Sequence, residues 1–470
     1  MVLIRFFFVL FFISFSSIKS SSVVKLLGNA PSFKGFELVF NSYSDPFSST
    51  EITIGRCKVD SSGNFSVTLP ISDITYIFSH LGIYMGYMYL EPGKEYIISF
   101  PDKKEKAPSD KLNPFFEESE FQFSIKNRDN HDLNKLILSF NDLYDPVLKN
   151  VIKNIYSGNN KASLDSSLNA LKTTNSGIDN SFYNKYVDYK IEYLKFLAYR
   201  NKSKSISNEF FQHKPVLYNN PAYLELFNQV YNKYFYFFGR TNFGKIIYDD
   251  INNRKSYFQL SQTLQSDSIL KNDSLREMVV LKNIHDEFYS NNFSRSGLLC
   301  LLDSFIINTK IIKHKVIAGY IRSKITLLMP EFPPPEFELF DRNGKLVKSS
   351  DLLGKYVYLN FCICSSYSCI KEFDLLKNLN NKYKDRFLIV TIATDENREQ
   401  MSNFITKSEY NWLFLHYGNQ PDILKQYDIR AYPTYFLIGP DGKLIYSPAA
   451  SPGENFELYL FKAMRLRGDI

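Results

Sequence analysis

The stretch Tyr356-Val-Tyr-Leu-Asn-Phe-Cys-Ile-Cys-Ser-Ser-Tyr-Ser-Cys-Ile-Lys-Glu-Phe373 decides how this chain is read. Tyr356 to Phe361 is apolar apart from Asn360, the pattern of a strand buried on both faces. Ser365 and Ser366 end the run. Residues 366–384 then read as a helix, with Ser366 well suited to the N-cap, where its oxygen can accept from an amide one turn on. A buried strand that feeds directly into a helix is the repeating unit of an α/β layer.

The same alternation continues outward. Downstream, Phe387–Ala393 is a second buried strand, residues 396–407 are helical, and residues 412–415 form a third strand. Thr434–Ile438, the turn Pro440-Asp-Gly442 and residues 443–446 make a hairpin, and residues 454–464 close with a helix. Upstream, residues 337–340 form a strand turned by Asp341-Arg-Asn-Gly344, preceded by a linker at Pro330 and Pro333-Pro334-Pro335. Residues 330–470 therefore make one α/β domain.

Before the linker the texture differs twice. Residues 23–126 carry short alternating runs (Phe36 to Phe40, Phe65 to Leu69, Tyr96 to Phe100) separated by Asp60-Ser-Ser-Gly63 and Glu91-Pro92-Gly93, which predicts a β-sandwich. Residues 127–329 change to a helical period. Leu133, Leu136, Leu138, Phe140, Leu143 and Val147 recur, as do Tyr186, Tyr189, Ile191, Leu194, Phe196 and Leu197, which predicts an irregular α-helical region. The chain is thus multidomain: a β-sandwich, an α-helical region and a C-terminal α/β unit.

Residues 1–22 set the compartment. A basic start ending at Arg5, the apolar run Phe6 to Phe15 and a small polar tail form a secretory signal peptide, and the run is too short for a bilayer, which takes about 20 residues. Cleavage is expected between about residues 18 and 24. No later segment is apolar enough to span, so the mature protein is expected to be exported, to the periplasm or cell envelope or beyond, without a stable membrane span. Of 470 residues, 56 are Lys or Arg and 49 are Asp or Glu, a net charge of +7 spread along the chain. That spread argues against a nucleic-acid binder, which gathers its cations. The 42 Phe and 33 Tyr beside a single Trp read as the bias of an AT-rich genome. Five cysteines exclude a disulfide scaffold.

From residue 333 to 467 the order of words resembles the thioredoxin fold in its exported branch, the TlpA/ResA-like thiol–disulfide oxidoreductases. The matching words are Gly354-Lys355, the strand ending in Asn360-Phe361, Cys369-Ile-Lys-Glu372-Phe373, Ala431-Tyr-Pro433-Thr-Tyr-Phe-Leu-Ile438 and Pro440-Asp441-Gly442. The β-then-helical portion before them is similar to extensions that such reductases carry in Bacteroidetes-type bacteria. The resemblance implies a thioredoxin-like fold for the C-terminal domain and partners that are protein thiols or disulfides, or an extended peptide segment. It implies no cofactor. Pro433 falls on the family's cis-proline, where Tyr432 would pair with a substrate strand. Glu372 falls on an acidic residue that helps move protons near the thiols, or serves only as a charge favoured near a helix N-terminus.

The motif departs where the chemistry sits. The family has Trp-x-x-Trp-Cys-x-x-Cys after the Asn-Phe strand end, whereas this chain continues Cys362-Ile-Cys364-Ser-Ser366-Tyr-Ser-Cys369. Cys369 takes the resolving position, Ser366 takes the nucleophile's, and no Cys-x-x-Cys occurs. A serine hydroxyl stays protonated at neutral pH and forms no mixed disulfide. Three cysteines within eight residues leave room for a relocated pair. Alternation puts Cys362 and Cys364 on one face, Cys364 lies in the turn, and a strained, easily reduced Cys364–Cys369 disulfide is expected in a fraction of molecules. Cys57 and Cys300 are expected to be buried apolar residues. The six histidines make no metal-ligand spacing, and no phosphate loop or Gly-x-Ser-x-Gly elbow is present.

Three readings follow. The first is an exported thioredoxin-like protein whose dithiol exchange is altered or lost, with Cys362, Cys364, Cys369 and Glu372 as candidate catalytic residues and Tyr432 and Pro433 as candidate substrate-binding residues. The second is a non-catalytic binding or interaction protein of the cell envelope. The third, a peroxiredoxin-like peroxidase, lacks its Pro-x-x-x-Thr-x-x-Cys word.

Overall fold

The computed structural model describes residues 23–470 apart from 108–109, 111–112, 114–115, 128, 130, 158–161, 200–201, 384–386, 396 and 419. The expected leader in residues 1–22 lies outside the described residues.

The first portion holds β1 (Val23–Asn29), β2 (Glu37–Tyr43), β3 (Glu51–Lys58), β4 (Asn64–Pro70), β5 (Thr75–Leu81), β6 (Tyr84–Leu90), β7 (Glu95–Ser99), β8 (Ser119–Gln122) and β9 (Ser124–Ile125). They form two sheets, ordered β4-β1-β7-β9 and β3-β2-β5-β6-β8. The alternation of β4 buries Phe65, Val67 and Leu69, and these meet Leu38 and Phe40 of β2 and Met88 of β6 in one shared core. The β3–β4 turn closes because Asp60 accepts the N–H groups of Ser62 and Asn64, both at 2.8 Å, and Gly63 supplies a φ of +86°.

The helices follow: α1 (Leu133–Ser157), α2 (Ala162–Thr174), α3 (Ser181–Tyr199), α4 (Pro221–Val230), α5 (Tyr257–Gln265), α6 (Asp273–Phe288), α7 (Arg295–Asn308) and α8 (Ile312–Thr326), joined by shorter turns. On α1 the buried stripe is Leu133, Ile137, Phe140, Tyr144 and Val151, whereas Leu138 and Leu143 face solvent. The strict three-to-four spacing decides which face is buried, and those two leucines fall off it. Asn220 caps α4 by accepting from Tyr223 N–H, with Pro221 in the first turn. The aromatic surplus fills this core: Phe211 meets Tyr223, Phe227 and Tyr231 edge to face. Among its buried charged groups, the Glu277 carboxylate accepts from Tyr257, Thr309 and His314. Among the described residues no helix is long and apolar enough to cross a membrane.

The last portion contains β10 (Glu338–Asp341), β11 (Leu346–Lys348), β12 (Tyr356–Cys362), α9 (Tyr367–Tyr383), β13 (Phe387–Ala393), α10 (Arg398–Ser408), β14 (Leu413–His416), α11 (Pro421–Gln426), β15 (Thr434–Ile438), β16 (Leu444–Tyr446) and α12 (Phe456–Arg467). The sheet order is β11-β10-β14-β13-β12-β15-β16. β12, β13 and β14 run parallel, while β15 and β16 return antiparallel. Residues of α9, α10 and α12 pack on one face, and those of α11 on the other. A central β12 flanked by parallel and antiparallel neighbours, with helices on both faces, is a thioredoxin-like fold. The proline linker is pinned to the sheet edge, since Glu331 N–H donates to Leu444 at 2.8 Å and Leu444 N–H returns to Phe332 at 2.9 Å.

A charge cluster joins the first portion to the last. His80 on β5 lies between Glu118 (2.5 Å) and Glu51 (3.0 Å), and Glu51 also accepts from Lys425 of α11 at 2.9 Å. The Glu118 and Glu51 carboxylates hold His80 up at about 9, and the His80 bond holds Glu51 down at about 2. The raised imidazolium adds stability that is complete below its unfolded value near 6.5 and is lost as pH rises through about 9. The side chain is 39% exposed, so solvent keeps the effect small. The expected result is a modest fall in unfolding temperature between about pH 6.5 and 9 that His80→Gln flattens. An unchanged slope in that variant, measured by scanning calorimetry, would contradict the assignment.

Candidate thiol site

All seven residues of β12 are buried. The strand end is anchored where Cys362 C=O accepts from Thr394 N–H (2.9 Å) and Thr394 Oγ1 (3.2 Å). The chain then turns: Ser366 N–H donates to Ile363 C=O, and Ile370 N–H donates to Ser366 C=O as α9 begins, both at 3.0 Å. Ser366 thus stands at the cap position. Its hydroxyl lies 2.9 Å from Ser368 Oγ, and Ser368 Oγ donates at 3.2 Å to the C=O of Tyr432. The Tyr432–Pro433 bond is cis, and the Tyr432 ring packs inward between the two cores of the fold. Tyr367, between the two serines, is 82% exposed.

Cys362, Cys364 and Cys369 are all buried in one cluster and all are free thiols. Cys364, expected in a mobile turn, is held: its N–H lies 3.1 Å from both carboxylate oxygens of Asp395. Burial first, then that carboxylate, pushes the Cys364 thiol far up. Burial also pushes Cys362 well up. Cys369 goes the other way. Hydrogen bonding from the Cys362 thiol, with the Ile363 N–H beside it, holds it below the ordinary thiol range despite burial. Glu372 is raised by burial; its carboxyl takes a bond from Gly453 N–H, and Oε2 has no partner within the protein.

Two residues of this site were not singled out by sequence reasoning, Asp395 and Tyr435. Asp395 follows the buried strand β13 at its C-terminal end, where α/β folds build their sites, and that position was the available signal. Tyr435 reads as plain β-strand, yet among the described residues its buried hydroxyl has no partner, in the same core cluster as the three cysteines. The two isolated cysteines correct an expectation. Cys57 is only half-buried on the edge strand β3, and burial pushes it up to about 11. Cys300 is exposed, because α7 turns Leu298, Leu301, Leu302 and Phe305 inward and leaves position 300 outside. Among the described residues, no three His, Cys, Asp or Glu side chains are placed to hold a metal.

Residues 330–457 match the Redoxin family. ResA, a thiol–disulfide oxidoreductase of Bacillus subtilis (strain 168), is 35% identical over 112 residues, which are 24% of this chain and 62% of the relative. ResA of Bacillus thuringiensis subsp. konkukian is 33% identical over 131 residues, 27% of this chain and 75% of that protein. The C-terminal part of this chain belongs to the ResA-like thiol–disulfide oxidoreductase family. Among solved structures, a thiol–disulfide oxidoreductase from Bacteroides fragilis NCTC 9343 is similar at 26% identity over 27% of this chain and 97% of that one, with a TM-score of 0.25. The matched residues 330–457 take in the whole seven-stranded sheet. Cys362 ends β12, and cis-Pro433 immediately precedes the neighbouring strand β15.

Proposed function

We propose that this chain is an exported thioredoxin-like protein of the thiol–disulfide oxidoreductase family in which dithiol exchange with protein disulfides is altered or lost. The observation that carries the reading is Ser366: an oxygen occupies the place that opens α9, next to the Cys369 sulfur. A helix N-terminus can lower a thiol into the neutral range, but no such field ionises a serine hydroxyl there. The sulfurs of this site, Cys362, Cys364 and Cys369, are buried, so none of them is presented to a protein disulfide. The fold is read as a β-sandwich, a helical region and a thioredoxin-like domain, with the leader directing it to the periplasm or cell envelope.

A second reading, a non-catalytic binding module, is favoured by one feature. A cavity of about 500 Å³ opens beside cis-Pro433, lined by Arg430, Thr434, Tyr435, Pro448 and Ala449 among others. An extended peptide segment of a partner would suit it. Insulin reduction separates these readings from an ordinary reductase. The mature protein, supplied with dithiothreitol, is expected to precipitate insulin at the uncatalysed rate. A rate equal to that of a dithiol reductase would refute the loss of exchange.

A further inference from the structure

A cavity of about 470 Å³ lies where the first portion meets the helices, and no residue of the thiol site lines it. Its size falls within the roughly 300–1,000 Å³ of small-molecule sites. Asp73, in the turn before β5, stands on one wall, and Phe182 and Lys185 of α3, Tyr218, and Lys313 of α8 stand on the others. Two of the charged side chains that line it are cationic and one is acidic. Among the described residues neither Lys185 nor Lys313 makes an ion pair. We propose that this cavity binds a small organic anion, a carboxylate or phosphate ester carried on an apolar or aromatic body.

The walls are fixed by groups behind them. Lys313 Nζ stands 4.2 Å from the centroid of the Tyr218 ring, a cation held against an aromatic face. That ring is itself held, since the Tyr218 hydroxyl lies 2.8 Å from His314 Nε2 and His314 Nδ1 lies 2.7 Å from the Glu277 carboxylate. His314 is fully buried, and a paired polar chain at that depth leaves the ring one orientation. On the other side Asn220 Nδ2 donates to the C=O of Phe182 at 3.4 Å while its Oδ1 caps α4. The Phe182 ring packs 6.1 Å from that of Tyr89 on β6. A recess built in advance spares a ligand the cost of ordering it.

The field inside has one sign. Besides the two lysines, three helices present their first residues to the cavity: Phe182 in the first turn of α3, the cap Asn220 of α4 and Lys313 in the first turn of α8. These helices run 19, 10 and 15 residues, and their peptide dipoles add positive potential at the recess. Low-dielectric walls focus that potential on whatever enters. The Phe182 and Tyr218 rings supply apolar surface for the body of the ligand, so a bare inorganic ion would leave half of the site unused. Asp73 opposes an anion, which gives the proposal a test of sign. The site goes beyond the reading of Ser366 and stands or falls without it.

The test uses the mature chain and four probes of similar shape: phenyl phosphate, benzoate, phenol and benzylamine, each titrated by saturation-transfer NMR. At least one of the two anions is expected to bind saturably, and the tighter of them identifies the head group. Phenol and benzylamine are expected to bind roughly tenfold more weakly or not at all. Lys313→Met and Lys185→Met should each weaken the anion roughly fivefold, and Asp73→Asn should tighten it. Saturation by neither anion, equal binding of all four probes, or full affinity in both lysine variants would overturn the site. The comparison of probes is made on the unmodified chain and requires no variant to fold.

Discussion

Ser366→Cys is expected to convert the chain into a working dithiol reductase. Removing the nucleophile from a covalent mechanism can cost up to about a millionfold in rate. Restoring one in a setting that has not been tuned for it should recover at least roughly a hundredfold over background in insulin reduction. The surroundings needed are in place. The new thiol would open α9, where the helix terminus stabilises a thiolate, and would stand one turn before the buried Cys369. It would also face cis-Pro433 across the Ser368–Tyr432 bond. Adding Cys369→Ser to Ser366→Cys should abolish the gain, since the mixed disulfide could no longer be resolved. If Ser366→Cys folds, titrates one additional thiol and still reduces insulin at the background rate, then the site has lost more than its nucleophile.

Tyr358→Ala is expected to cost about 3–5 kcal/mol in the thioredoxin-like part, the range for removing a large buried aromatic. Tyr358 lies at the centre of β12, fully buried, stacked on Phe456 at 3.7 Å and on Tyr435 at 5.0 Å. Its hydroxyl donates to Ala450 C=O at 2.6 Å. Tyr358→Phe keeps the stack and leaves that carbonyl without its donor, for about 1 kcal/mol. The chain carries one tryptophan, Trp412, buried beside Phe373 and Phe414 in the same core. Urea unfolding followed by its fluorescence therefore reports this part of the chain alone. Equal midpoints for the Ala and Phe variants would show that the stack contributes little, and that α12 is held by other contacts.

Elements whose local pattern and burial agree were legible in advance. β13 was read with both ends in place, because a seven-residue apolar run between polar segments has one packing solution, the middle of a layered sheet. α9 was read to within a residue at each end, since Ser366 and the apolar spacing mark its start and stripe. β3 and β11 went unread, as half-exposed edge strands carry no alternation, and α11 is too short to show a helical period. On α1, Leu138 and Leu143 seemed to belong to the buried stripe, and only packing shows which of two overlapping apolar faces is covered.

The sequence by itself determined the family of folds, through the order of words from Gly354 to Gly442, and the absence of any Cys-x-x-Cys. The proposed loss of exchange at Ser366 rests on that same resemblance. Tertiary structure decided how the sulfurs are held. Along the chain Cys362 and Cys364 are equivalent neighbours of Cys369, and the spacing alone favoured the one in the turn. Asp395, which follows the neighbouring strand β13, binds the Cys364 amide and fixes that turn, and all three sulfurs are buried as free thiols. Contacts across strands distant in sequence set the direction of a side chain, and neither composition nor periodicity carries that information.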